Sequence, residues 1–428
     1  MSGNIPAAAV RKTPVPQKRG VLYQKPATLR RWRKSHPVSS AGHSPAPRIY
    51  AILYAVETKR VLVVRCADYA SSLGPAFARL LDESALLSPQ AVAGRRVLVK
   101  PNLLTDRTPD QAVTTHPELL RLVIRHLKSA GARVSVGDSP ASAANIRAVL
   151  ATTGVGSVCE DEGVPFVSFE REGVRAYAVE GFEFTLAAPV AEADLIVSLP
   201  KVKSHSLTKL TAAVKNLYGA VPGYSKTTLH RLHPRPDDFG RLLQAIWSVL
   251  PPTVSIADAV VGMEGQGPAN GRPAPLGFIA ASADPFALDV ALCGILHINP
   301  TSVPYLKEVT NQHAPTLSGD KVEVASFEVP VGSHLLGFVP TGLMRLAARV
   351  LWVRPLIDAT LCANCGRCIK ACPVDALARP EARRRGIPVL KQRACVGCAC
   401  CHEVCPHGAI RMTQSPVLRL VHAFRDLD

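Results

Sequence analysis

Eight of the twelve cysteines fall into two copies of one spacing. Cys362-x2-Cys365-x2-Cys368-x3-Cys372-Pro373 is followed by Cys395-x2-Cys398-x2-Cys401-x3-Cys405-Pro406. Two residues between thiolates let one tight loop offer three sulfurs to three irons of a cube, and the cysteine before each proline opens the next segment as a fourth ligand. A zinc ribbon would need two separated pairs of ligands in place of a run of three. The chemistry encoded by this spacing is that of two [4Fe–4S] clusters. Cys400 is an extra thiol beside Cys401. The first run has Arg367 at the matching place, so Cys400 reads as a non-ligand thiol, with a substitute ligand or redox-sensitive thiol as the alternative.

A second set of residues could do different chemistry. Lys201, Lys203, His205, Lys209 and Lys215 crowd fifteen positions that also hold several Ser and Thr. Lys100 and Asn102 close another apolar run, and Asp138, Asp258, Glu264, Asp284 and Asp289 follow others. Ammonium, hydroxyl and amide groups are what a phosphate or carboxylate ligand needs. Facing carboxylates can hold a divalent ion, set lysine pKa values or serve as acid and base. Turns and caps explain any one of these residues; their convergence makes a site. Lys201, His205 and Lys215 are the candidate catalytic groups. Lys100, Asn102, Lys203 and Asn216, with Asp138, Asp258 and Glu264, are the candidate anion-binding groups. His205, His230 and His233 lack a fourth ligand and make a weak zinc set. Gly262, Gly265, Gly267 and Gly271 suit close backbone approach to a ligand.

Short strands alternating with amphipathic helices must position these groups. Ordered structure is expected from Lys59, with 60–64 as the first buried strand. Residues 96–99, 133–136, 194–199, 253–256 and 278–280 read as further strands. A helix opens on the capping box Thr115-x-x-Glu118, carries the stripe Leu119, Leu120, Val123, Ile124 and Leu127, and stops at Gly131. The pattern predicts an α/β fold: a mostly parallel sheet with helices on its faces. Ligands of such sheets sit beyond the C-terminal strand ends, where the polar residues above fall. No G-x-G-x-x-G or Walker A loop follows a strand, which disfavours a Rossmann or P-loop nucleotide site.

The paired cysteine runs are offset by 33 residues, and their sequels Pro373-Val-Asp-Ala-Leu and Pro406-His-Gly-Ala-Ile match. Over residues 358–414 the chain resembles the bacterial two-cluster ferredoxins, which implies a small ferredoxin-like α+β domain. By that resemblance the fourth cysteine of each run serves the other cluster. One cube then takes Cys362, Cys365, Cys368 and Cys405; the other takes Cys395, Cys398, Cys401 and Cys372.

Upstream, Val99-Lys100-Pro101-Asn102, Thr115-His116-Pro117-Glu118 and Val136-Gly137-Asp138-Ser139-Pro140 occur in order. Leu199-Pro200-Lys201-Val202-Lys203-Ser204-His205 and Val214-Lys215-Asn216-Leu217-Tyr218-Gly219 follow, then Asp258 to Pro268 and Asp284 to Asp289. This resembles the iron–sulfur proteins of "domain of unknown function 362". The resemblance implies an architecture and site residues but no reaction.

The formal net charge of +17 is unevenly spread. Residues 1–48 hold ten Lys or Arg and no Asp or Glu. Rich in Pro, Ala and Ser, residues 1–58 read as a basic disordered tail, or as the product of a start site placed too far upstream. Arg30-Arg31-Trp32-Arg33-Lys34 lacks the following apolar segment of a twin-arginine signal. Residues 59–330 read as the α/β domain and 331–357 as a connector. In the connector, Leu343, Leu346, Ala347, Val350 and Leu351 form one face of a short amphipathic helix that packs across the boundary; membrane-surface binding is the other use. Residues 415–428 read as a C-terminal helix. No run of eighteen apolar residues occurs, so no membrane span is expected. Thiolate cubes and sparse other cysteines point to a reducing cytoplasm.

The leading reading is a redox protein whose clusters relay electrons from a donor protein to an anionic substrate or cofactor in the α/β domain. The alternative is an electron carrier, or a maturation or partner-binding protein without its own catalysis. Nucleic acid is disfavoured, since aromatics are only 5% and do not alternate with the basic residues beyond the lone Trp32.

Overall fold

Val61-Leu62-Val63-Val64 is rich in β-branched residues and carries no polar face, so it is stable as a strand covered on both sides. It forms β1 (Arg60–Arg65), with all four residues buried. The computed structural model describes residues 59–141, 144–330, 352–380 and 386–417. The basic tail, the connector's amphipathic helix and all but the first residues of the expected C-terminal helix lie outside these.

Equivalent runs form β2 (Arg96–Pro101), β3 (Arg133–Asp138), β4 (Phe166–Ser168) and β7 (Leu195–Leu199), after a hairpin β5 (Val174–Val179) and β6 (Phe182–Ala187). Then come β8 (Lys201–His205), β9 (Lys209–Thr211), β10 (Thr253–Glu264), β11 (Arg272–Ser282) and β12 (Thr316–Gly319). The main sheet runs β12-β1-β11-β10-β7-β2-β3-β4, with β8 also on β10 and β9 on β8. Pairing is parallel from β10 through β7, β2, β3 and β4, and antiparallel where β11 meets β1 and β10. The expected mostly parallel α/β sheet is present.

Helices cover both faces. Leu119, Leu120, Val123, Ile124 and Leu127 of helix Pro117–Ser129 are all fully buried against one side. Each such side chain contributes about 1.5–3 kcal/mol when removed from water. Helices Pro236–Trp247 and Pro285–Ile295 pack on the other side through Phe239, Leu242, Phe286 and Leu292.

Two expectations need correction. Residues 200–216, expected as irregular chain beyond the strand end at 199, instead form β8, β9 and most of the helix Ala213–Leu217. The expected cap of helix Pro117–Ser129 also moves by one residue: His116 is the N-cap and accepts from Glu118 N–H. Thr115 is occupied elsewhere, donating to the Leu199 carbonyl at 2.5 Å.

Near the C-terminus, β13 (Val353–Ile357) pairs antiparallel with β16 (Ile410–Gln414), and β14 (Leu377–Ala378) with β15 (Val389–Leu390). The duplication is visible in the backbone. Left-handed residues recur at matching places in the two runs: Asn364 and Gly397, Gly366 and Ala399, Asp375 and Gly408. The first two pairs lie inside the C-x2-C-x2-C loops, whose tight turns need a positive φ. This small α+β module is fastened to the sheet. Arg367 makes a two-pronged pair with Asp106 (2.7 and 3.0 Å), and the buried His402 places Nε2 3.0 Å from the Gln266 carbonyl. Among the described residues no helix is long and apolar enough to cross a membrane.

Candidate functional site

Strands β7, β2 and β3 end side by side, so their last polar residues meet. Lys100 on β2 lies 2.7 Å from Asp138 on β3, both side chains at most 2% exposed. Asn216 ties this pair to β7: its Oδ1 accepts from Lys100 (3.3 Å) and Asn102 (3.0 Å), and its Nδ2 donates to Ser198 Oγ (3.0 Å). The short helix carrying Asn216 and Lys215 is pinned by Asp289, which accepts from Ala213 N–H (2.7 Å) and Val214 N–H (3.0 Å). Gly219 is required beside the pair, because a Cβ there would run into Lys100 Nζ and the Asp138 carboxylate.

Strand β8 adds Lys203, which donates to the Val113 carbonyl at 2.6 Å, and His205. His205 Nδ1 accepts from Leu207 N–H (3.0 Å) and Thr208 N–H (3.3 Å), which places its proton on Nε2. That nitrogen faces Glu403 Oε1 at 3.2 Å. Lys226, on helix Ser225–Leu232, donates to the carbonyls of Ser139 and Pro140. Lys215 stands over the rings of Tyr218 (5.0 Å) and Phe239 (5.4 Å).

These groups line one cavity with about 670 Å³ of empty space, counting its mouth. Cys400, Glu403 and Val404 supply the opposing wall, so the cysteine-rich module closes the site. Burial pushes Lys203 down to about 7 and Lys226 to about 8, each only partly offset by nearby carboxylates. Burial likewise lowers Lys100 and Lys215, and takes His205 to about 4 and His230 to about 3. Burial opposes ionisation of Glu403 too, but His205, Lys215 and His230 hold its carboxyl below the usual range. Four buried polar atoms on the wall lack a hydrogen-bond partner: Asn102 Oδ1, Thr211 Oγ1, His230 Nδ1 and Glu403 Oε1. Glu403 Oε1 is within ion-pair distance of His205 but is not aligned to accept its proton.

The structure therefore brings together Lys100, Asn102, Asp138, Lys203, His205, Lys215 and Asn216. It leaves out Lys201 and Asp258, which pair with each other at 2.6 Å in a separate packed cluster. There Tyr69 donates to Asp258 (2.7 Å), Lys201 contacts Tyr69 (2.8 Å) and His116 stacks on Tyr69 at 3.6 Å. Glu264 pairs with Arg272 at 3.0 Å, and Asp284 caps helix Pro285–Ile295 and meets His313. His233 packs on Phe182. Gly262 and Gly267 do allow close approach, but to Val202 O and Ser204 of β8. Lys226, Thr211, Tyr218 and Glu403 were not foreseen. Lys226 lies on a helix outside any motif, and Glu403 is masked by the cysteine run.

The cysteines surround two further cavities. One, with about 330 Å³ of empty space, is lined by Cys362, Cys365, Cys368 and Cys405; the other, about 320 Å³, by Cys372, Cys395, Cys398 and Cys401. All are free thiols. Among the described residues no three His, Cys, Asp or Glu converge closely enough to share one metal ion. Thiols spread around a cavity suit a multi-iron cube better than a single tetrahedral ion. Cys400 lines the lysine cavity and neither of these two.

Comparison with known proteins agrees with both halves. Residues 97–294 match the family model "Domain of unknown function (DUF362)", and residues 355–412 match "4Fe-4S dicluster domain". The chain is 35% identical over 251 residues to "Thylakoid-associated protein sll1697" of Synechocystis sp., covering 58% of this chain and 77% of that one. Among solved structures, the lactate racemase apoprotein from Thermoanaerobacterium thermosaccharolyticum shares 12% identity at TM-score 0.39, over 56% of this chain and 57% of that one. A Thermotoga maritima protein shares 14% at TM-score 0.28, over 51% and 55%. The chain thus spans little more than half the length of each of these two.

Proposed function

Because this chain belongs to the family built on the domain of unknown function 362 and carries two [4Fe–4S] clusters, we propose that it delivers electrons to an anion bound in the lysine cavity. The observation that carries this reading is the cavity's composition. Lysines from the sheet form one side, and the segment between Cys398 and Cys405 forms the other. Cys362, Cys365, Cys368 and Cys405 would hold one cluster; Cys395, Cys398, Cys401 and Cys372 would hold the second. When bound, the clusters supply one-electron transfer.

The chain's own residues do the rest. Lys203, Lys215 and Lys226 bind the anion, and the Lys100–Asp138–Asn216 network fixes the floor. His205, neutral with its proton on Nε2, presents that proton to the cavity. Buried walls exclude water, which strengthens each charged contact. Lys201 and Asp258 act as packing for β8 and β10.

Cys365 is the exposed thiol of its set, and the exposed Arg379 donates to the adjoining Asn364 carbonyl at 3.3 Å. With Lys370 also exposed in the same cysteine run, this module fits an acidic electron-donor protein. Thiolate clusters are lost on oxidation, which favours a reducing cytoplasm.

The test is anaerobic reconstitution, chemical reduction, and identification of co-purifying anions. Addition of the identified anion should reoxidise the clusters, followed by visible absorbance and paramagnetic resonance. Reoxidation that is equally fast in Lys203→Ala and Lys226→Ala would remove the cavity from the reaction.

A further inference from the structure

The charges around the cavity do not balance. Lys100 is matched by Asp138 at 2.7 Å. Lys215 senses Glu403 and the Cys400 thiol, so it faces the cysteine-rich module. Lys203 and Lys226 have only carbonyl oxygens as hydrogen-bond partners. Glu403, already shared with Lys215, is the strongest carboxylate influence on Lys203; on Lys226 it is Asp138, already paired with Lys100, with Glu170 acting from the exposed rim. Two buried ammonium groups on separate elements, β8 and helix Ser225–Leu232, therefore lack a counter-charge of their own. Burying an uncompensated charge is costly, and a site that retains two is built for a partner that brings the opposite charge.

The same wall carries buried acceptors with nothing to accept. Asn102 Oδ1 and Glu403 Oε1 are acceptors only, and His230 Nδ1 and Thr211 Oγ1 can also accept. A simple oxyanion could accept from Thr211 or His230 but would leave Asn102 Oδ1 and Glu403 Oε1 unsatisfied.

We infer that the cavity takes a small dianion that also carries a hydroxyl or ammonium donor: a hydroxylated dicarboxylate or phosphomonoester. Two negative charges answer Lys203 and Lys226, and the donor group answers Asn102 and Glu403. The inference rests on the proposed reading of this cavity as a ligand site and names the class of ligand.

Calorimetric titration of the full, cluster-loaded chain under anaerobic conditions tests it, with butyrate, succinate, malate and glycerol phosphate as probes. Succinate against butyrate isolates the second charge, malate against succinate isolates the hydroxyl, and glycerol phosphate distinguishes a phosphoester from a dicarboxylate site. Succinate or glycerol phosphate should bind about 10- to 150-fold more tightly than butyrate, the effect of one charge-assisted contact. Malate should exceed succinate. Lys203→Gln and Lys226→Gln should each shrink the dianion preference, with iron content and melting measured on the same samples. Because the two lysines lie on different elements, loss of folding in one variant leaves the other decisive. Butyrate binding as tightly as the dianions, no binding by any dianion, or an unchanged preference in a folded variant would overturn the inference. Dianion binding without any response of reduced clusters would leave the inference standing and sink the electron-delivery reading instead.

Discussion

His205 Nε2 lies 3.2 Å from Glu403 Oε1, and the two residues come from opposite ends of the fold: a strand of the main sheet and the helix between two cysteines. The contact joins both halves across the lysine cavity. Glu403→Ala removes this close polar contact, which should cost about 0.5–1.5 kcal/mol of stability. Chemical denaturation of the cluster-loaded chain should show that loss. The double variant with His205→Ala should lose less than the sum of the single effects, with a coupling of about 0.5–3 kcal/mol.

Lys201→Ala should behave as a folding mutation. Its partner Asp258 is fully buried and would be stranded as an unpaired charge, costing about 3–5 kcal/mol. Lys226→Ala strands no carboxylate within ion-pair distance, so it should melt close to the parent while losing anion affinity. Thermal melting and anion titration on the two variants distinguish these roles. Equal melting losses would show that Lys226 is structural too.

The reconstituted chain should hold about eight irons and eight sulfides. Cys400→Ser should retain all of them, because its thiol faces the lysine cavity. Cys398→Ser should lose the iron of one cube. Iron and acid-labile sulfide assays decide the matter; loss of a cube in the Cys400 variant would make Cys400 a ligand.

Anion affinity should fall as pH rises through about 7 to 8. Lys203 (about 7) and Lys226 (about 8) are both depressed by burial from the ordinary 10.5. In the empty protein they shed protons in this range, whereas a bound anion holds them charged, so binding takes up protons. Stability of the empty chain has the opposite sign. Between about pH 7 and 10.5 the unfolded state binds more protons at these lysines, so their contribution to stability rises with pH. Titrations from pH 6 to 9 in two buffers of different ionisation enthalpy would expose the proton uptake. A flat affinity profile would show that neither lysine contacts the anion.

The parts of the site legible in the sequence were those at strand ends. Lys100 and Asp138 follow short apolar runs, and a parallel sheet must gather such residues on one edge. Lys201 and Lys203 looked equivalent because they are two residues apart. They part company because β8 follows β10 irregularly: Asp258 faces Lys201, but Met263, five residues on, faces Lys203. No local pattern encodes that shift. Lys226 and Glu403 reach the cavity through tertiary packing of a helix and of the cysteine-rich module. The cysteine sets were legible because three thiols of each lie in one short loop, and the left-handed backbone at Asn364, Gly366, Gly397 and Ala399 follows the same repeat.

Helix Cys400–Glu403 belongs to two structures at once: Cys401 reaches into a thiol-lined cavity, and Glu403 forms part of the wall opposite the lysines. Oxidative damage that dismantles that thiol set would therefore also take down a wall of the binding site. The molecule is wired like a fuse. On the proposed reading, a chain that loses its clusters also lets go of its anion.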